Sequence, residues 1–317
     1  MVLALVLFFS PTTTPALVPL PLPFEPDIID NIPQKKAEPI APKIKMTPPI
    51  LEPRFKFEIN SYFKLPFKKP QAIFVDNRHQ EIYVVDSYYG EIFIFDLEAR
   101  PVARIGKGAM LGEAIDMIVR EGKIYITQDG VDYVQVLDYK GKTIARLAPE
   151  DTPFMPADMD IDEDGNIYIV NKSTRQCVVL DTEDKFSKII GPRFASLSGV
   201  AVGGGRVYLL TPLREDYKVR VFSTSGEFVS NLVESETGRG AILVTPIAGK
   251  IDSHGRLWVI DRFKGIQILS SGGELLGVLG RAPTQRERVS APRDVDFDVK
   301  GMVYLLSKRA RSIKVYK

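Results

Sequence analysis

Two groups of side chains in this sequence could carry chemistry. The first is a set of aspartates in short apolar segments, where Asp116, Asp158 and Asp294 occupy equivalent places in "IDMIV", "DMDID" and "DVDFD". Carboxylates that converge on one point could hold a hard cation such as calcium through oxygen ligands. The same residues could instead line a water-filled channel in which Lys250 neutralises part of the charge.

The second group is a set of basic residues in three late segments, "DRFKG", "RAPTQRERVSAPR" and "SKRARS", which hold nine basic residues against two acidic ones. Arginine forks suit carboxylates, sulfates and phosphates, and a concentrated basic sector attracts an anionic partner. The alternative is that the charges only keep the loops soluble. The candidate ligand-binding residues are Arg262, Phe263, Lys264, Arg281, Arg286, Arg288, Arg293, Lys308, Arg309 and Arg311.

Other common catalytic groups are scarce, and we assign no catalytic residue. His79 and His254 lie in separate turns, "NRHQ" and "SHGR", so neither can be placed in a Ser/His/Asp arrangement. Cys177 is the single cysteine, which excludes a disulfide framework and any CxxC motif. We expect it to be a small buried hydrophobe in a strand.

These side chains must be positioned by a repeated unit. Aromatic residues recur at intervals of 40 to 50 residues, each inside a short apolar run, at Tyr83, Tyr125, Tyr168, Tyr208, Trp258 and Tyr304. Strand-like runs precede and follow each of them, as in "DEDGNIYIVNKSTRQCVVLD". A period in the forties with four strands and no helix per unit predicts the blades of a β-propeller.

The last unit lacks its outermost strand, because the sequence ends at Lys317 after three strands. The segment "RFKFEINSYF" alternates Phe55, Phe57 and Ile59 on one face, as a half-buried strand does. We therefore predict an all-β, six-bladed propeller over residues 54–317, closed by an N-terminal strand that completes the last blade.

The units resemble NHL repeats, in which a Pro, a small-residue strand and a Gly turn precede an aromatic "YV-D" strand and a "V-VFD" strand. "PADMDIDEDGNIYIVN" and "PRDVDFDVKGMVYLLS" carry this pattern most fully, and "PQAIFVDNRHQEIYVVD" is close. Related amidating lyases use several zinc-binding histidines, which two separated turn histidines cannot supply. Gluconolactonase-like propellers use a Glu/Asn/Asp set around a cation, to which the axial aspartates correspond only in part.

The N-terminal region has a different character. Residues 1–16 hold an apolar run and a small-residue segment typical of a secretory signal, although no basic residue precedes the run. Residues 17–53 are a Pro-rich linker, and the stretch 11–53 contains 12 of the 23 prolines. We expect the protein to be exported, and to contact a membrane only through the N-terminal segment if that segment is retained.

These observations lead to a non-catalytic binding scaffold as the expected function, docking a protein or an acidic envelope polymer on its loops. A net charge of +2 gives no chain-wide nucleic-acid signature, and the export signal argues against nucleic acid as a partner. We expect no cofactor apart from the possible calcium. The alternatives are a cation-dependent lyase or lactonase that uses the axial aspartates, and a structural subunit of a cell-envelope assembly.

Overall fold

The computed structural model describes residues 51–109, 111–235, 241–279 and 289–317. Within these ranges the chain forms six four-stranded antiparallel sheets and one short hairpin, with no helix. It enters through β1 (Phe55–Ile59) and the hairpin of β2 (Ser61–Tyr62) and β3 (Leu65–Pro66). None of the described segments is a helix long and apolar enough to cross a membrane.

The sheets are the blades of a six-bladed propeller, numbered here in chain order. Blade 1 contains β4 (Pro70–Asp76), β5 (Glu81–Asp86), β6 (Glu91–Asp96) and β7 (Pro101–Ile105), and blade 2 contains β8 (Ala114–Arg120), β9 (Lys123–Gln128), β10 (Val134–Asp138) and β11 (Thr143–Leu147). Blade 3 contains β12 (Pro156–Ile161), β13 (Ile167–Asn171), β14 (Gln176–Leu180) and β15 (Phe186–Ile190), and blade 4 contains β16 (Gly199–Gly203), β17 (Arg206–Leu210), β18 (Tyr217–Ser223) and β19 (Phe228–Glu234). Blade 5 contains β20 (Pro246–Ile251), β21 (Leu257–Asp261), β22 (Gly265–Leu269) and β23 (Leu275–Leu279), and blade 6 contains β24 (Pro292–Phe297), β25 (Val303–Ser307), β26 (Ser312–Tyr316) and, as its outer strand, β1.

The two ends of the propeller therefore join in one sheet, as the sequence predicts. Phe57 pairs with Val315 and Ile59 with Ile313 in the antiparallel ladder between β1 and β26. Arg54 and Lys317 exchange two main-chain hydrogen bonds at 2.8 and 2.9 Å, which extends the pairing to the last residue.

The chain also contacts blade 5 before it reaches β1. Leu51 forms a parallel bridge with Gly277 in β23, and its N–H donates to the carbonyl of Leu276 at 2.8 Å. A Cβ at Gly277 would lie 2.6 Å from the carbonyl oxygen of Leu51, so only glycine permits this approach. The outer edge of blade 5 is thus partly covered by the chain itself.

The recurring aromatics set one common register. Each is nearly completely buried on the second strand of its blade and pairs with an equivalent residue of the first strand. The pairs are Phe74–Tyr83, Ile118–Tyr125, Asp160–Tyr168, Ala201–Tyr208, Lys250–Trp258 and Asp296–Tyr304. Six equivalent registers place the same position of every first strand at the axis.

The propeller has two faces, one at each end of its axis. The loop face carries the turns between second and third strands and the connections between blades, and the turn face carries the remaining turns. Polar residues at the ends of second strands fasten the loop face. Asp86 accepts hydrogen bonds from the N–H groups of Lys68 and Lys69, and Asp261 accepts them from those of Val244 and Thr245. The connections that surround the axis at this end are therefore held by buried polar groups.

Ring closure predicts a clear difference between two truncations. Deleting residues 54–64 removes β1 and leaves β26 as an open edge, so cooperative unfolding should be lost. Deleting residues 1–45 removes no described strand and should leave the thermal transition nearly unchanged. Calorimetry or circular dichroism of both variants measures this, and equal melting curves would contradict closure by β1.

Candidate active site

The axial aspartates connect neighbouring blades. The N–H of Met159 in blade 3 donates to Asp116 Oδ2 in blade 2 at 2.6 Å, and the N–H of Val200 in blade 4 donates to Asp158 Oδ2 at 2.9 Å. Asp294 in blade 6 accepts from Ile73 of blade 1 at 2.9 Å in the same way. The three predicted metal ligands thus lie on one level of the axis, and each fastens the first strand of the next blade.

A second level of the axis, nearer the turn face, repeats this arrangement. Asp160 accepts from the N–H of Val202, and Asp296 from that of Val75, both at 2.7 Å. Lys250 lies between the two aspartates, with its Nζ 2.7 Å from Asp160 and 3.9 Å from Asp296. Its ammonium group therefore neutralises much of the acidic charge of this level, as the sequence suggested.

The first level has no lysine of its own. Burial raises the pKa of Asp116 and of Asp158 well above the ordinary range, and repulsion from neighbouring carboxylates adds to the effect. Burial also raises the pKa of Asp294 to about 6. Near neutral pH this level therefore retains protons more strongly than exposed carboxyl groups do.

Main-chain donors already occupy the carboxylate oxygens that a calcium ion would need. Both carboxylate oxygens of Asp116 accept main-chain hydrogen bonds, from Met117 and Met159, and both oxygens of Asp294 accept them from Val295 and Ile73. In the described part of the chain no group of three or more His, Cys, Asp or Glu side chains is arranged to hold a metal ion. As arranged, the aspartates do not fit a calcium site, so calcium stays a sequence-based prediction and carries no step below.

A cavity of about 500 Å³ opens on the loop face above this level, and we call it the loop-face cavity. Asp158 lies at its floor, partly exposed, beside Ala157 and Ala114. Arg293 reaches across the axis from blade 6 and donates to the carbonyl of Ile115 in blade 2 at 3.2 Å. The charged and polar residues around the wall are Gln71, Glu113, Asp129, Lys172, Ser198, Arg262, Arg293 and Lys308.

The structure brings together part of the predicted basic sector. Arg262, Arg293 and Lys308 line the cavity, whereas Phe263, Lys264, Arg309 and Arg311 lie in adjoining turns and do not line it. Arg281, Arg286 and Arg288 lie outside the described residues.

Sequence reasoning missed several residues of the cavity wall. Lys172 was not selected, because it is a single base directly after β13 and belongs to no basic run. Glu113 and Asp129 also line the cavity and were not among the predicted site residues. Asp129 and Lys172 directly follow a second strand, and Glu113 directly precedes a first strand. Charged residues at these two positions are the signal that could have identified them.

The remaining reactive side chains lie away from this cavity. His79 and His254 are in turns between first and second strands, on the turn face. His79 Nδ1 lies 2.6 Å from Asp76 and His254 contacts Ser253, which agrees with the expectation of surface turn residues. Cys177 is fully buried in β14, and burial raises the pKa of its thiol, so it is not a nucleophile.

Comparison with solved structures finds propeller enzymes. The fold is similar to virginiamycin B lyase from Staphylococcus aureus, with a TM-score of 0.57 and 12% identity over 81% of this chain and 82% of that one. It is also similar to a gluconolactonase from Xanthomonas campestris, with a TM-score of 0.61 and 12% identity over 85% and 96% of the two chains. A luciferin-regenerating enzyme gives a TM-score of 0.56 and 14% identity over 84% and 94%.

At these identities the similarity shows the fold. No protein-family model matches the sequence, and the comparison with curated protein sequences gives no match. The prediction of a non-catalytic scaffold is nevertheless corrected, because these neighbours are a lyase, a lactonase and a third enzyme, which favours the enzymatic alternative. The prediction rested on loop charge, which reports on association and cannot distinguish a binding scaffold from an enzyme.

The raised carboxyl pKa values predict a stability that falls as pH rises. Between 3.8, the ordinary pKa of Asp294, and about 6 in the folded state, the folded domain binds this proton and the unfolded chain releases it. The free energy of unfolding therefore decreases with pH across this window. We expect a melting temperature several degrees higher near pH 5 than near pH 7.5.

Thermal denaturation across this range, with a chelator present, measures the effect. The Asp294→Asn variant keeps a carbonyl acceptor for Ile73 and should show a weaker pH dependence. The salt link of Glu113 with Lys69 lowers the pKa of Glu113 from its ordinary 4.5, so the stabilisation that this pair gives is lost only as pH falls below 4.5, outside the compared range of pH 5 to 7.5. A melting temperature that rises from pH 5 to 7.5 would contradict the assignment.

The lysine of the second level gives a separate prediction. Lys250→Met leaves Asp160 and Asp296 buried without a counter-ion, so at neutral pH the free energy of unfolding should fall by about 3 kcal/mol. The double variant Lys250→Met/Asp160→Asn removes one of the two unpaired charges and should recover part of the loss. Urea denaturation of wild type and both variants measures this, and additive losses would show that the pair is not coupled.

Proposed function

We propose that this protein is an enzyme of the lyase or lactonase type whose reaction takes place in the loop-face cavity. The observation that carries the proposal is the floor of that cavity, where the carboxyl group of Asp158 faces a space of about 500 Å³ lined by basic and acidic side chains. A pocket of this volume takes a small molecule or the end of a longer one. The lyase and lactonase named among the structural neighbours support the reaction class.

Asp158 has the properties of a general base or acid. Its Oδ2 is fixed by the N–H of Val200, which orients the carboxyl group towards the cavity. Burial raises its pKa, while the charge of Arg293 counteracts this. A carboxyl group with a pKa closer to neutrality transfers protons efficiently in the pH range of most enzymes.

Arg293 is placed to stabilise developing negative charge. Its guanidinium is half-buried above the axial carboxylates, and the bond to the carbonyl of Ile115 fixes one of its nitrogens. In a lactone or ester, charge develops on the carbonyl oxygen or on the leaving oxygen, and a fixed cation nearby lowers the barrier. The two residues together supply proton transfer and electrostatic stabilisation from opposite blades.

The wall of the cavity indicates a substrate with an acidic group. Arg262, Lys172 and Lys308 are exposed at the rim and come from blades 5, 3 and 6. Glu113 and Asp129 of blade 2 also line the cavity, and their carboxylates can accept hydrogen bonds from hydroxyl groups. We therefore infer a hydroxylated ester or lactone that carries a carboxylate.

We also propose that the repeats are of the NHL type, on the basis of the repeat pattern described in the sequence analysis.

Activity on a panel of lactones tests this proposal. The panel pairs neutral sugar lactones with acidic ones of the same ring size, and Asp158→Asn should reduce kcat/KM at least about 100-fold. Wild-type turnover should favour the acidic member of each pair.

Asp164→Asn provides the matched control, since Asp164 is exposed in a turn on the opposite face. It should retain full activity and melt as the wild type does, and circular dichroism should show that Asp158→Asn is folded at the assay temperature. Undiminished activity of Asp158→Asn would remove this carboxyl group from the mechanism, and no turnover of any lactone or ester would refute the reaction class.

A further inference from the structure

The loop face displays large hydrophobic side chains at its tips. Phe63 is 71% exposed, Phe263 70% and Tyr88 68%, and Leu213 and Met155 are exposed as well. Tyr88, Leu213 and Phe263 lie in turns between second and third strands, and Phe63 and Met155 lie in connections between blades. All five therefore lie at the same end of the propeller, the end on which the loop-face cavity opens.

The tips are held outward by packed neighbours. The ring of Phe63 contacts Tyr62 edge-on at 5.0 Å, and Tyr62 stacks on the buried Phe93 at 5.4 Å. Phe63 also has a positive φ of 51°, a conformation that non-glycine residues adopt only when surrounding structure holds it. Tyr88 contacts Tyr89 at 5.1 Å. The exposed rings of Phe63 and Tyr88 are thus positioned by contacts with Tyr62 and Tyr89.

Basic residues accompany the apolar tips. Lys64 lies in the turn of the β2–β3 hairpin, next to Phe63, and Lys68 follows the hairpin. Arg214 and Arg262 lie beside the tips of blades 4 and 5. Lys172, Arg175, Lys308 and Arg309 are exposed on the same face. Blade 2 differs, since its loop carries Asp129 and Asp132, and Val131 and Tyr133 are only partly exposed there. Exposed acidic residues lie near two other tips, with Glu150 and Asp151 ahead of Met155 and Asp216 after Leu213. Apolar tips and positive charge therefore coincide at Phe63 and Phe263.

We propose that the loop face is a membrane-binding surface that lies on an anionic lipid bilayer, with its apolar tips inserted among the headgroups. Aromatic and aliphatic side chains enter the interfacial region, and basic side chains next to them are attracted to anionic lipids. Tips that are separated around a ring match a flat, fluid surface. A protein partner would instead require a contiguous apolar core within its interface. The cavity mouth then faces the lipid surface, and the inference holds whatever reaction the cavity performs.

Vesicle sedimentation with the full chain tests this surface. Wild type should bind vesicles of phosphatidylcholine mixed with phosphatidylglycerol, and bind pure phosphatidylcholine vesicles more weakly. The triple variant Phe63→Ser/Tyr88→Ser/Phe263→Ser should lower the partition coefficient at least about tenfold. The matched control is Ile144→Ser/Ile189→Ser/Phe228→Ser, three residues that are 49%, 53% and 56% exposed on the outer strands of blades 2, 3 and 4. It should bind as the wild type does.

The design separates the competing explanations. Every variant keeps residues 1–50, so equal binding of the loop variant and the wild type would assign the affinity to another part of the chain and overturn the proposal. Absence of wild-type binding to mixed vesicles would do the same. Retention of the wild type on an anionic polysaccharide column, combined with no vesicle binding, would overturn the proposal in favour of an acidic polymer as the ligand.

Discussion

The propeller depends on how its innermost strands satisfy their inner edge. Each first strand pairs with the second strand on one side only, which leaves main-chain N–H groups directed at the neighbouring blade. Axial carboxylates accept these groups at three of the six blade junctions, where Asp116, Asp158, Asp160, Asp294 and Asp296 bind the next first strand. At the junction of blades 4 and 5, which has no such aspartate, small residues let the two first strands approach, since a Cβ at Gly199 would lie 3.3 Å from the Cα of Ala248.

This constraint also explains the chemistry at the axis. Carboxylates that are needed between blades are unavoidably brought close to one another in a buried space, and their pKa values rise. Lys250 relieves the repulsion at one level, and the other level opens into the loop-face cavity at Asp158. A group used for assembly is thus the same group that we propose for proton transfer.

The sequence predicted the fold well because each strand type has a residue pattern that recurs in every blade. The aromatic at the second strand, the missing outer strand of the last unit and the alternation of Phe55, Phe57 and Ile59 all follow from pairing rules with a period of two. The site was predicted only in part. Arg262, Arg293 and Lys308 were found through their charged segments, but Lys172 and Glu113 join them only because six separate connections meet at one mouth. The partners of Asp116 and Asp294 are main-chain N–H groups, which no side-chain pattern reveals.

The contact of Leu51 with blade 5 has a mechanical consequence. A force applied through the N-terminus first meets the bridge to Gly277 and then the ladder between β1 and β26. β1 and β26 run antiparallel, and the first and last residues of the propeller pair with each other. Tension between these two residues therefore breaks the hydrogen-bonded pairs one after another, beginning with Arg54–Lys317. Tension on the N-terminal segment would therefore act on the bridge between Leu51 and β23 of blade 5 before it acts on the ladder between β1 and β26.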